Sequence, residues 1–211
     1  MIVTVVGGMA NVTLIRGAAL VAAPWKNGGG VTREVAAFPE QAGMDTFVWR
    51  VSVADVAQAG PFSRFDGVDR TLVLLAGAGM VLDETLGAQV LNSHALEHPL
   101  DLARFEGEAH INARLIDGAT RDFNLMVRRD VAQGELDVWR GQAGHSTSRV
   151  FSADVVLLFC ASGEIAITTG AAPRQSLETG DTLRIDAPDA LSCVLEGTGA
   201  VLAITLRYTQ R

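Results

Sequence analysis

The sequence predicts an all-β protein built as a pair of β-barrel or jelly-roll units. Three observations carry that expectation: many short apolar runs of period two, glycine-rich turns spaced regularly between them, and a layout that recurs after about 80 residues. Helical periodicity is weak throughout. At 211 residues, 48% hydrophobic and 19% charged, the chain can bury a substantial core.

Met1–Ala10 is apolar but lacks the positive start and small-residue cleavage site of a secretory signal, so it reads as an opening strand. Val12–Ala23 is apolar and rich in small residues, and Pro24 should end any regular element there. Val31–Phe38 reads as a strand, with Thr32, Glu34 and Ala36 on one face and Val31, Arg33, Val35 and Ala37 on the other. Phe47–Val53 is the clearest strand. Phe47, Trp49, Val51 and Val53 share one face; Val48, Arg50 and Ser52 share the opposite one.

Ala59–Arg70 is irregular and turn-rich. Thr71–Leu75 then runs through Ala76-Gly77-Ala78-Gly79 into Met80–Leu82, the pattern of a hairpin. Shorter strands are expected over Ala88–Leu91, Leu100–Phe105, His110–Leu115 and Phe123–Arg128, the last preceded by an Asp117-Gly118 turn. Val155–Ile167 has the same apolar–glycine–apolar form as Leu72–Leu82, and Ala200–Tyr208 matches Asp122–Arg129. Arg129–Arg149 reads as the join. The expected division is an N-terminal barrel over 1–130, holding the ligand pocket, and a structural C-terminal barrel over 131–211.

A net charge of −7 excludes the broad basic surface of a nucleic-acid binder. No apolar run reaches the roughly 20 residues that a membrane-spanning helix needs. Cys160 and Cys193 lie in apolar strand contexts and are expected to be buried free thiols, which agrees with a cytoplasmic location.

The stretch with most to say about function is Pro24–Glu34, in which Gly28, Gly29 and Gly30 follow Trp25, Lys26 and Asn27. Consecutive glycines permit positive φ and close backbone approach. The run is not a phosphate loop, because Lys26 precedes the glycines and a strand follows them. Three strands carry polar side chains opposite apolar ones: Thr32 and Glu34, Arg50 and Ser52, Asp122 and Asn124. If the apolar sets pack inward against a second sheet, the polar sets line a lumen.

Competing chemistries are poorly supplied. His94, His98 and His110 have no metal-ligand spacing in a strand context, Pro99 disfavours a helix there, and His145 sits in a polar loop. Ser52 and Ser63 lack a nucleophile-elbow context. Glu34 and Asp122 could exchange protons if they share a lumen, although carboxylates paired structurally with Arg50 or Arg70 fit the composition better.

Several segments in order resemble the HutD/Ves family: Pro24–Glu34, Trp49–Ala54, Gly60–Ser63, Phe65–Arg70, Asp117-Gly118 and Asp122–Arg129. The likeness covers about residues 14–130, with a looser match to the end, and Met1–Asn11 lies outside it. It implies a bicupin, two cupin-like β-barrels in one chain, and an association with histidine utilisation. Its shared motif residues map to Lys26, Asn27, Gly28, Thr32, Glu34, Arg50, Ser52, Ser63, Arg70, Asp122, Asn124 and Met126. The histidines of metal-binding cupins are missing, so neither metal nor other cofactor is expected.

Together these readings lead to a cytoplasmic binder of a small anionic metabolite, with Lys26, Arg50 and Arg70 as cationic donors and Gly28–Gly30 admitting backbone N–H groups. An enzyme using Glu34 or Asp122 is the first alternative. A protein-interaction module or homodimer built through exposed strand edges is the second.

Overall fold

The computed structural model describes residues 3–7 and 10–209, with side chains from Ala10 onward. The Met1–Asn11 stretch thus falls largely outside the described residues. No α-helix occurs among those described; a single 3-10 turn spans Gly17–Ala19. In chain order the first strands are β1 (Val3–Gly7), β2 (Ala10–Ile15), β3 (Ala22–Pro24), β4 (Gly30–Phe38), β5 (Trp49–Val56) and β6 (Gly60–Pro61). There follow β7 (Val68–Ala76), β8 (Met80–Leu86), β9 (Gln89–Leu96), β10 (Leu102–Glu106), β11 (Ile111–Leu115) and β12 (Thr120–Arg128). The last six are β13 (Ala132–Gly141), β14 (Thr147–Phe151), β15 (Val155–Thr169), β16 (Gln175–Leu177), β17 (Thr182–Asp186) and β18 (Leu191–Tyr208).

The chain divides into two compact units, but not at residue 130 alone. One is Val21–Ala132; the other combines the chain before Val21 with Gln133–Arg211. The expected join, Arg129–Arg149, is mostly strand, because β13 and β14 occupy it.

Val21–Ala132 holds a six-stranded sheet in the order β10-β7-β12-β5-β4-β3 and a four-stranded sheet in the order β6-β11-β8-β9. Their facing side chains make one core. Ala54, Val56, Leu72 and Leu74 come from the larger sheet; Met80, Leu82, Leu96, Ile111 and Ala113 come from the smaller. Pro24 closes β3 at the sheet edge, where a missing N–H costs no ladder bond.

The hairpin expected over Thr71–Leu82 is not one. β7 pairs with β10 and β12, whereas β8 pairs with β9 and β11, so the chain passes between sheets at Gly77–Gly79. Both glycines have positive φ, +103° and +113°.

The other unit is an eight-stranded sheet, β1-β2-β17-β15-β18-β13, with β14 on β18 and β16 on β15. Here the apolar–glycine–apolar run is one continuous strand, β15, with an irregularity between Cys160 and Ser162. The repeat is real at the level of pairing. β7 pairs antiparallel with β12, and the corresponding β15 pairs antiparallel with β18. Cys160 and Cys193 are free and buried, and burial pushes both thiols up to about 11.

Two strand faces depart from simple alternation. A register shift between Glu34 and Ala36 puts Ala37, not Ala36, opposite Arg50. Phe47 precedes the regular strand and packs with Val68, Met126 and Phe65, so it does not share the face of Trp49.

Candidate functional site

Residues opposite one another on antiparallel strands project from the same side of the sheet. On β12, Met126 lies opposite Arg50 and Arg70, Asn124 opposite Ser52 and Leu72, and Asp122 opposite Ala54 and Leu74. On β4, Thr32 lies opposite Ala54 and Glu34 opposite Ser52. One face of the six-stranded sheet therefore collects the three polar pairs, and it borders a cavity of about 570 Å³.

Lys26, Asn27, Thr32, Arg50, Ser52, Ser63, Arg70, Asp122, Asn124 and Met126 all line this cavity. Gly28, Gly29, Gly30 and Glu34 do not. The wall also includes residues that polar patterning missed: Ala23, Pro24, Trp25, Met44, Ala54, Pro61, Phe62 and Phe65. The adjacent motifs held a signal for the aromatics, since Trp25 directly precedes Lys26 and Phe62 directly precedes Ser63. Nothing in the sequence marks Met44.

The three glycines shape the wall from behind. Gly28 takes φ +71°, its N–H donates to the Trp25 carbonyl at 3.0 Å, and the Asn27 Oδ1 accepts from the Gly29 N–H at 3.0 Å. At Gly30 a Cβ would sit 2.6 Å from the Asp55 carbonyl oxygen and 3.1 Å from the Trp25 ring. The close approach that glycine permits is thus between Trp25 and β5. Trp25 Nε1 donates to Thr32 Oγ1 at 2.7 Å, which fixes the indole in the wall.

Glu34 is exposed and accepts from Arg50 Nε at 2.8 Å. It steers Arg50, whose Nη1 donates to Ser52 Oγ at 3.2 Å. Arg70 is only 6% exposed and sits among three rings, 5.0 Å from Phe105, 5.3 Å from Phe62 and 5.7 Å from Phe65. Such a cage favours a cation over the ring faces. Its Nη1 donates to the Ser63 carbonyl at 3.3 Å, while its Nε has no partner among the described residues. Burial lowers the Arg70 value to about 10, Asp122 opposing the shift and Arg50 adding to it.

Asp122 is 1% exposed. Burial pushes its carboxyl up to about 7, against the attraction of Arg70 and with the help of the Asp55 charge. Its Oδ2 and the Asn124 Oδ1 are both buried without a hydrogen-bond partner among the described residues. Asp55 has another role. Its carboxylate pairs with Arg121 at 2.6 Å and Arg33 at 2.5 Å, and it is held below the usual range by Arg121 first.

No group of three or more His, Cys, Asp or Glu side chains among the described residues could hold a metal ion. His98 faces Asp101 at 3.5 Å and His94 faces Asn92 at 3.3 Å, both away from the cavity. No described helix is long and apolar enough to cross a membrane. The cavity thus offers cationic donors at the Met126 rung, unpartnered acceptors towards the Asp122 rung, and aromatic sides.

The HutD family profile matches residues 17–203. An uncharacterised 21.2 kDa protein in the hutC 3′ region of Pseudomonas putida is 35% identical over 186 residues, 87% of this chain and 91% of that protein. Protein Ves of Escherichia fergusonii is 41% identical over 115 residues, 54% of this chain and 56% of Ves. The structure of HutD from Pseudomonas fluorescens SBW25, titled as a formate condition, superposes with a TM-score of 0.79 at 30% identity, covering 94% of this chain and all of that one. More distant neighbours of cupin-like fold, at 9% identity, share the fold alone. The chain belongs to the HutD/Ves family.

Proposed function

We propose that the protein binds a small anionic metabolite in the cavity of the Val21–Ala132 unit. The observation that carries this is Arg70: a buried guanidinium, caged by three rings, whose Nε lacks a partner at the cavity wall. Such a group costs free energy unless something accepts its hydrogen bond, and a carboxylate does so with geometry suited to a guanidinium. Arg50 and Lys26 line the same space and add positive charge.

Within the family's association with histidine utilisation, supported by a relative in a hutC 3′ region, the ligand is a pathway intermediate such as urocanate, formiminoglutamate or formylglutamate. The role is regulatory or flux-protecting, and the location cytoplasmic. On this reading each unit is one cupin-like barrel and the chain is a bicupin.

Calorimetric titration of these three compounds, with thermal-shift measurements beside it, tests the reading. Saturable binding that weakens at least tenfold in Arg50→Ala is expected. No saturation by any of them, or affinity unchanged in Arg50→Ala, sinks it.

A second reading rests on Asp122, a cavity carboxyl held near neutrality and hence poised to take or give a proton. Glu34 is less suited to that task, being exposed and tied to Arg50. Turnover of any of the three compounds by metal-stripped protein, lost in Asp122→Asn, would support an enzyme; inert protein would retire it.

A further inference from the structure

The cavity is polarised along β12, and the polarity constrains what fills it. Met126, opposite both Arg50 and Arg70, marks the cationic end; Asn124 lies two residues on and Asp122 four. At roughly 3.4 Å per residue the cationic and acidic rungs lie about 14 Å apart along the strand, a span that long arginine side chains shorten. At the far end the available groups are acceptors. Asp122 Oδ2 is enclosed, carries no partner among the described residues, and belongs to a side chain 1% exposed. Asn124 Oδ1, on the rung between, is buried and unpartnered as well.

An anion that satisfied Arg70 Nε alone would leave both acceptors unpaired. Worse, a second carboxylate at that end would meet Asp122 with like charge in a buried site, which is strongly unfavourable. The walls between are apolar or aromatic: Ala54, Phe62, Phe65 and Trp25.

Resting on the anion-binding reading, we infer that this site takes a bifunctional ligand, a carboxylate that also carries an N–H donor at its opposite end, with the carboxylate on Arg70 and Arg50 and the N–H on Asp122 and Asn124. Simple dicarboxylates and carboxylates without an N–H group are rejected by the second half of the site. Discrimination of this kind is steep, because a site built to pair a donor pays the cost of unpaired buried acceptors when the donor is missing.

Matched pairs separate this inference from the reading beneath it. The first pair is urocanate and 3-(3-furyl)acrylate, in which a ring oxygen replaces the N–H. The second is N-formyl-L-glutamate and its N-methyl derivative. Titrations of the wild-type protein at pH 8, above the Asp122 value of about 7, are expected to show the N–H member of at least one pair binding tenfold or more tightly than its partner. In Asp122→Leu and Asn124→Leu that ratio should fall below threefold, whereas Arg50→Ala should weaken both members alike and leave the ratio standing.

Members of each pair binding within threefold of each other in the wild type would overturn the bifunctional site while leaving the anion reading intact. No saturable binding by any member would overturn both. Should the leucine variants fail to fold, the wild-type ratios decide by themselves.

Discussion

Asp122 shows how a single side chain can tie stability to pH. Its carboxyl is lifted from 3.8 to about 7 by burial, with Arg70 only partly opposing the shift. Below about pH 4 the group is protonated whether the chain is folded or not, and it contributes nothing. Between about 4 and 7 the unfolded chain releases the proton while the folded chain keeps it, so stability falls as pH rises; above 7 the penalty is constant. From pH 5 to pH 8 this loss amounts to about 3 kcal/mol. Asp122→Asn keeps the shape and removes the titration. In urea denaturation, the stability of the variant relative to wild type is therefore expected to rise by about 3 kcal/mol between pH 5 and pH 8. A difference flat across that range would mean that Asp122 ionises in the fold as it does in water. The alternation of β12 made Asp122 and Asn124 legible as cavity residues. Their missing partners were not legible, because burial depends on the four-stranded sheet laid over them.

At the scale of elements, the Trp25–Gly30 turn and the sheet beneath it act together. Gly28 has positive φ but open space around its missing Cβ, so Gly28→Ala costs only backbone strain, about 1 kcal/mol. Gly30 has no positive φ, yet a Cβ there would press on the Asp55 carbonyl and the Trp25 ring. Gly30→Ala is expected to destabilise the protein by about 2–3 kcal/mol, more than Gly28→Ala, and to disturb the indole of the cavity wall. Thermal unfolding and the Trp fluorescence maximum of the two variants provide the check; the reverse order of stability would refute the packing argument. Period-two patterning located nearly every strand of this unit, since alternation is a local property. It misplaced Ala36, because one bulge residue flips every later side chain on β4. It also turned β7 and β8 into a hairpin. A glycine turn between apolar runs reads the same whether the chain folds back in one sheet or crosses to another, and only the nonlocal partners β9, β10, β11 and β12 distinguish the two.

For the whole molecule, the path of the chain matters more than its order. A reader of the sequence cuts it once, near residue 130, yet the segment before Val21 belongs with the strands after Ala132. Its apolar alternation explains why. Ala10, Val12 and Leu14 enter the core made by Trp139, Phe151, Leu183 and Ile185. β2 pairs with β17 from Asn11 opposite Asp186 to Ile15 opposite Thr182. The anchor is Asp181, 4% exposed, which pairs with Arg16 at 2.5 Å and accepts from the backbone N–H groups of Gly17 at 2.9 Å and Glu178 at 3.1 Å. Arg16 is 44% exposed at its side chain, so solvent screens its part of the pair. Removing the carboxylate strips two backbone donors as well as the cation, and is expected to cost about 2–4 kcal/mol in Asp181→Ala. Arg16→Ala leaves those backbone bonds in place and should cost about 1 kcal/mol or less. Urea denaturation of the two variants ranks them. If Arg16→Ala proves the more damaging, the segment is held by its ion pair and not by the backbone bonds that Asp181 accepts.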